Sequence, residues 1–303
     1  MQEFFDADEA ALREKNKKLL LNSASYVLAY NDFVFLNSAD ARPFRMQLEV
    51  VKPEQIMKAE RIRSTVIVFG SARLVDSSVA QRMLDQANKN LESEPDNPAY
   101  KRDVKKARTL VEFAPYYDMA RDFAQIVSRF NQQIAPKDGY ANHDFVICTG
   151  GGPGIMEAAN RGAYDVGARS IGLNIKLPVE QYPNPYISNE FCFQFHYFGI
   201  RKLHFMLRAK ALVVFPGGFG TFDELFEGLT LRQTHRMQQL PIILFAEDYW
   251  RKAVNFDYLV ESGMIAEEDL DLFVFVKTPE EAWNAIMKYH KDHNDPIITE
   301  YCF

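Results

Sequence analysis

The sequence is poor in the features that would tie a chain to a membrane, a disulfide framework or a metal. Three cysteines occur in 303 residues, Cys148, Cys192 and Cys302, with no C-x-x-C spacing. Cys148 and Cys192 fall in apolar, strand-like runs and are expected to be buried free thiols. Such cysteine usage fits a reducing compartment, so a cytoplasmic setting is expected. No apolar run reaches the roughly 18–20 residues of a membrane span. The start, Met1-Gln2-Glu3-Phe4-Phe5-Asp6, lacks the cationic end and apolar core of a signal peptide. Positive charge is not in excess either: the net charge is −6, which argues against nucleic acid held by bulk electrostatics. No H-E-x-x-H is present, so no metal site is expected. Without G-x-S-x-G, α/β-hydrolase chemistry has no support. No internal repeat or low-complexity tract appears.

What is present is a long alternation of short apolar runs with helical patterns. Runs at 65–69, 145–148, 169–175, 191–195, 211–215, 241–245 and 272–276 read as strands. Helical patterns at 77–92, 100–131, 154–166, 199–210, 221–235, 249–261 and 279–291 lie between and after them. Alternating strands and helices imply parallel strands joined by right-handed crossovers. The expected fold is α/β, a Rossmann-like doubly wound parallel sheet with helices on both faces. Residues 1–63 read as an N-terminal extension packed on the core, with a charged helix over Glu9–Leu21, a turn around 37–43 and a short helix at 53–61. Residues 64–292 read as the main domain with a helical insertion at about 76–140, and 293–303 as a tail.

Two glycine-rich turns follow strands. The first is Gly150-Gly151-Gly152-Pro153-Gly154-Ile155-Met156-Glu157. Its spacing does not meet the dinucleotide fingerprint, and Asn174 and Lys176 stand where an acid should end the next strand. The second is Pro216-Gly217-Gly218-Phe219-Gly220-Thr221-Phe222-Asp223-Glu224. Strand, glycine turn and helix start together present free backbone N–H groups to an anion. Neither turn is followed by Gly-Lys-Ser/Thr, which excludes a P-loop. The blander reading of the first turn is a tight connection with no ligand. For the second it is a capping box, Thr221 capping a helix and Glu224 reaching back to the cap. Arg201, His204 and Arg208 share one helical face, which reads either as a solvated basic face or as a face near a phosphate.

Together the first turn, Arg201-Lys202 and the second turn through Glu224 resemble the LOG family over roughly residues 64–290. These are cytokinin riboside 5′-monophosphate phosphoribohydrolases and bacterial nucleotide nucleosidases, long labelled lysine decarboxylase-like. The resemblance implies a Rossmann-like, usually dimeric protein that takes a nucleotide, needs no cofactor and cleaves an N-glycosidic bond. It implies that Arg201 and Glu224 are the catalytic pair and that Gly217, Gly218, Phe219, Gly220 and Thr221 cradle the 5′-phosphate. Lys202, Asp223 and Thr230 fall at family substrate-contact positions. Glu180 matches an acid that holds sugar or base, and Gly151, Gly152, Ser71 and Arg73 are further contact candidates. Tyr197 and Phe198 are aromatics available for stacking. The chain departs from the short plant members, having Tyr197-Phe198-Gly199-Ile200 before the Arg-Lys pair, so a cytokinin preference does not follow. A non-catalytic nucleotide or molybdenum-cofactor carrier of the same fold is the competing expectation, and a carrier needs no Arg201–Glu224 pair.

Overall fold

The computed structural model describes residues 6–134, 143–178 and 182–295. The chain divides into two compact units, 1–51 and 52–303. The smaller begins with helix α1 (Ala7–Leu21), whose first turn is capped by the Asp6 carboxylate accepting from the Glu9 amide at 2.8 Å. A four-residue helix α2 (Phe33–Leu36) and the helix α3 (Arg42–Ala59) follow. Helix α3 starts earlier than the short helix expected at 53–61, and Pro53 lies inside it.

The larger unit continues with strand β1 (Thr65–Phe69), then helices α4 (Ser77–Ser93), α5 (Pro98–Phe113) and α6 (Pro115–Ile134). The stretch 100–131, expected as one helix, is two. Pro115 has no N–H to continue α5 and instead opens α6 at its first position. Next come β2 (Val146–Thr149), α7 (Ile155–Asp165), β3 (Ser170–Ile175), β4 (Cys192–Phe195), α8 (Phe198–Leu207) and β5 (Ala209–Val214). The chain ends with α9 (Phe219–Gln233), β6 (Ile242–Phe245), α10 (Glu247–Ala253), α11 (Phe256–Glu261), β7 (Phe273–Val276) and α12 (Pro279–Asp292). Here too one expected helix, 249–261, is two, because Asn255 caps a new start by accepting from the Tyr258 amide at 3.0 Å.

The seven strands form one parallel sheet in the order β4-β3-β2-β1-β5-β6-β7. This is the expected doubly wound architecture. The central strands β1, β2, β5 and β6 are buried at every residue, as strands covered on both faces must be. The edge strand β4 alternates exposed and buried residues, and Cys192 points outward. Its expected burial is therefore wrong, for the plain reason that an edge strand of this sheet has an open face, whereas Cys148 is buried as expected. Two apolar layers hold the sheet. One carries Phe123, Phe145, Ile155 and Phe215, and the other Phe69, Phe205, Leu225 and Trp250. Among the described residues no helix is long and apolar enough to cross a membrane.

Candidate active site

Strand order reverses between β1 and β5, and ligands of open α/β sheets bind at such a switch point, beyond the carboxyl ends of the strands. The two loops that leave β1 and β5 are tied together there. The Ser71 amide donates to the Pro216 carbonyl at 2.9 Å, and the Ser71 carbonyl accepts from the Ile155 amide of α7 at 3.0 Å. Over them opens a cavity of about 940 Å³, at the large end of the range for small-molecule sites. Its lining takes in Gly70 to Leu74, Gly150, Asn174, Arg201, Pro216 to Phe222 and Glu224.

The second glycine turn forms one wall of this cavity. Helix α9 starts at Phe219, with Gly218 as its N-cap and no side-chain cap. The capping-box alternative is thereby overturned. Thr221 is already the third helical residue, and Glu224 sits in the second turn, too far along to reach a cap. Among the described residues no protein group accepts from the amides of Gly218, Phe219, Gly220 or Thr221. These are the orphan donors of a helix start, with the positive end of the helix dipole behind them. A Cβ at Gly217 would overlap the Thr221 side chain, whereas one at Gly218 or Gly220 would meet open space. Protein packing therefore demands glycine at 217 only. At 218 and 220 the empty volume belongs to whatever approaches the amides. Phe219 lies at the mouth, 98% exposed.

Arg201 and Glu224 face this wall from neighbouring helices. Arg201 is 8% exposed, and its Nε donates to the Leu173 carbonyl at the end of β3 at 2.7 Å. Its guanidinium lies where a Cβ at Gly150 would have to be, so the glycine ending β2 makes room for it. Burial draws its affinity for the proton down and the Glu224 charge works against that, and a guanidinium so placed stays cationic at neutral pH. Glu224 accepts no hydrogen bond and makes no ion pair among the described residues. Burial pushes its carboxyl up to about 7, Arg201 and Lys202 pull it down, and Asp223 and Glu227 add to the rise. A carboxylate that titrates near neutrality in a cavity suits proton transfer or the stabilisation of transient positive charge.

Lys202 and Asp223 lie outside the cavity lining and bind each other. The Lys202 ammonium donates to Asp223 at 2.7 Å and lies 3.5 Å from Glu227. This bridge joins α8 to α9 one residue away from Arg201 and Glu224 respectively. Thr230 is exposed and further along α9, also outside the lining. Ser71 and Arg73 do line the cavity, and the Ser71 hydroxyl accepts from the Arg73 amide at 3.1 Å. Glu180 lies outside the described residues.

The first glycine turn is built differently. Gly151 has φ +73° and Gly154 φ +74°, a region open chiefly to glycine. A Cβ at Gly151 would come within 2.5 Å of the Asn174 amide. The Gly151 amide donates to the Thr149 hydroxyl at 3.0 Å, and the carbonyls of Gly151 and Gly152 accept from the Asn184 amide and side chain at 2.9 and 3.0 Å. Gly151 and Gly152 are buried and do not line the cavity. Of this turn only Gly150 lines the site, together with Met156 of the helix that follows.

The polar face of α8 is not solvated. His204 and Arg208 are each 4% exposed and turn to Glu54, the histidine at 3.3 Å and the arginine in a hydrogen-bonded ion pair. Burial opposes ionisation of Glu54, but the hydrogen bonds from His204 and Arg208 prevail and hold its carboxyl down to about 2. Their partner lies some 150 positions earlier in the chain, so helical spacing cannot reveal it. Only Arg201 of that face serves the cavity. The sequence reading also missed Phe113, Asn174 and Tyr249 in the lining. Tyr249, from the start of α10, donates its hydroxyl proton to the Gly217 carbonyl, and Phe113 meets its ring edge-on at 6.0 Å. Pro115, two residues after Phe113, was the available signal that a helix ends there. Phe198 lines the cavity and Tyr197 does not.

Known proteins resemble this chain in the same region. A family described as "Possible lysine decarboxylase" matches residues 156–286. That span contains Arg201 and the whole second turn. A cytokinin riboside 5′-monophosphate phosphoribohydrolase of Arabidopsis thaliana is 26% identical over 161 residues, 52% of this chain and 73% of the plant protein. A pyrimidine/purine nucleotide 5′-monophosphate nucleosidase of Escherichia coli is 35% identical over 126 residues, 36% of this chain and 27% of that protein. Among solved structures, a molybdenum-cofactor carrier protein of Chlamydomonas reinhardtii is 14% identical with a TM-score of 0.41, covering 76% of this chain and 99% of the carrier. That TM-score adds nothing to the topology described above.

Proposed function

We propose that this chain, which belongs to the LOG family, hydrolyses the N-glycosidic bond of a nucleoside 5′-monophosphate. Water adds its oxygen to C1′ of the ribose, the bond from C1′ to the base nitrogen breaks, and one water proton ends on the base. The products are free base and ribose 5-phosphate. The observation that carries this reading is the unpaired Glu224 carboxylate, raised to about 7, in a cavity shared with buried Arg201 and the free amides of α9.

The phosphate lies on the amides of Gly218 to Thr221, where an anion meets donors and a helix dipole at once. This remote anchor fixes the ribose, so binding energy far from the reacting bond orients it. Cleavage passes through an oxocarbenium-like sugar. The ionised Glu224 stabilises its charge and takes a proton from the attacking water. Arg201 supplies fixed positive charge against the negative charge of the leaving base and the phosphate. Lys202 and Asp223 hold α8 and α9 in register. A carrier would bind the same anion without a lone carboxylate whose burial is costly, and Glu224 is the reason to prefer the enzyme.

The test is release of free base from a panel of nucleoside monophosphates by the wild-type protein and by Glu224→Gln. The expected outcome is turnover by the wild type, a loss of about 10²–10⁴-fold in the variant, and unchanged affinity for the nucleotide. Full activity in Glu224→Gln removes its assigned role. Tight nucleotide binding with no base released from any of the panel favours the carrier.

A further inference from the structure

The Gly217–Gly218 peptide is the loosest joint of the second turn. It is flanked by two residues without a Cβ, so it can rotate against little steric resistance. A trans peptide is planar, and its C=O and N–H point in opposite directions. Among the described residues no peptide is cis. Half a turn of this unit would therefore put the Gly217 carbonyl where the Gly218 N–H now stands. A carbonyl oxygen only accepts, and it repels an anion that an N–H would bind.

The two peptides that lead into α9 are pinned by different means. The Pro216 carbonyl accepts from the backbone amide of Ser71 at 2.9 Å. The Gly217 carbonyl is held by a side chain, the Tyr249 hydroxyl. Burial raises that hydroxyl above its ordinary pKa, so it keeps the proton it donates. The ring is in turn held on two sides. Phe113 meets it edge-on at 6.0 Å and Trp250 at 5.1 Å. Trp250 is fully buried, and its indole donates to the Phe245 carbonyl at 2.8 Å. Ala246, the N-cap of α10, has φ +71°, a left-handed conformation that a residue with a Cβ rarely takes. Such strain persists where the surroundings over-determine it, and here it lies at the step from β6 into the helix that carries Tyr249. Phe113 ends α5 and, of helices α4 to α6, contributes the one side chain in the cavity lining. The helical insertion thus reaches the site on the ring that holds the hydroxyl. We propose that Tyr249, braced by Phe113, is a positioning residue that keeps the Gly217–Gly218 peptide from flipping and so keeps the Gly218 N–H turned to a phosphate. This rests on the reading of the cavity as a phosphate site.

The test is calorimetric binding of ribose 5-phosphate to the full-length wild type, Tyr249→Phe and Phe113→Ala. Steady-state kinetics on the best nucleotide of the panel run alongside. Tyr249→Phe keeps the ring and removes one oxygen, and thermal melting checks that both variants stay folded. In Tyr249→Phe the dissociation constant for ribose 5-phosphate and KM for the nucleotide should rise together by about 10-fold, as when the competent orientation falls to roughly a tenth of the population. Phe113→Ala keeps the hydroxyl on a looser ring and should show a rise of about 3-fold. A merely structural role would add to the effect of Gly218→Ala, whereas a role exerted through the Gly218 amide would not. Tyr249→Phe in a Gly218→Ala background should therefore cost less than about 2-fold in kcat/KM. Unchanged ribose 5-phosphate binding in either folded variant, or full additivity with Gly218→Ala, would overturn this proposal and leave the reaction assigned to the cavity standing. A wild type that does not bind ribose 5-phosphate would overturn the proposal together with the phosphate anchor beneath it, and base release from the panel then decides the reaction separately.

Discussion

The two glycine turns look alike in sequence and differ in every physical respect that matters for binding. At Gly150–Gly154 the backbone takes positive φ twice, and its carbonyls and one amide are satisfied by Thr149 and Asn184. Added Cβ atoms there would strike protein. At Gly217–Gly220 the amides are unpaired and two of the three glycines face open space. The first is a packing device that clears room for Arg201. The second presents free amides to the cavity, and we propose that an anion meets them there. Glycine content does not separate the two cases, whereas the destination of each N–H and the atom each missing Cβ would touch do.

The largest effect that can break this contrast comes from Gly218→Ala. Its Cβ enters open volume, so melting should change little, while kcat/KM for a nucleoside monophosphate falls by roughly 10–100-fold as the phosphate is pushed off the amides. Unchanged kinetics in a folded Gly218→Ala protein would mean that the ligand does not lie there. The converse variant is Gly154→Ala. It combines positive φ with overlap on the Ser71 and Ala72 backbone, and should lose about 2–4 kcal/mol in denaturant unfolding. A Gly154→Ala protein as stable as wild type would remove the packing role.

Next in size is a pH effect at Glu224. Its carboxyl is raised from 4.5 to about 7 on folding, so the folded chain holds this proton more tightly than the unfolded chain. Stability from this group is therefore lost as pH rises from about 4.5 through 7. Glu224→Gln should match the wild type near pH 4 and exceed it by up to about 3 kcal/mol at pH 8. A constant difference across that range would show that the carboxylate is not held out of water. The smallest expected effect is at Lys202→Met. Loss of that charge lets the Glu224 carboxyl rise further, moving the ascending limb of the kcat–pH profile to higher pH by about half a unit. A rise in KM alone, with the limb unmoved, would make Lys202 a substrate ligand and not a positioning residue.

Much of this was legible from the sequence. All seven strands could be placed because buried parallel strands are short, apolar and bounded by turns. The second turn announced itself through its position after Val214 and before a helix. The errors have two causes, partners distant in sequence and the local placement of helix ends. Spacing puts Arg201, His204 and Arg208 on one face but cannot show that Glu54 claims two of them. Thr221-x-x-Glu224 has the letters of a capping box, and only the backbone reveals that the helix begins at Phe219. Phe113 and Tyr249 line the cavity from the end of α5 and the start of α10, and local propensity smooths over the helix ends at Pro115 and Asn255.

The central claim is that the amides of Gly218 to Thr221 hold a phosphate whose binding drives cleavage at a distant bond. Comparing kcat/KM for AMP and for adenosine tests it most directly. The account predicts that AMP is preferred by about 10³-fold or more, equivalent to about 4 kcal/mol of anchoring. Equal rates on the two, or cleavage of adenosine with none of AMP, would contradict it.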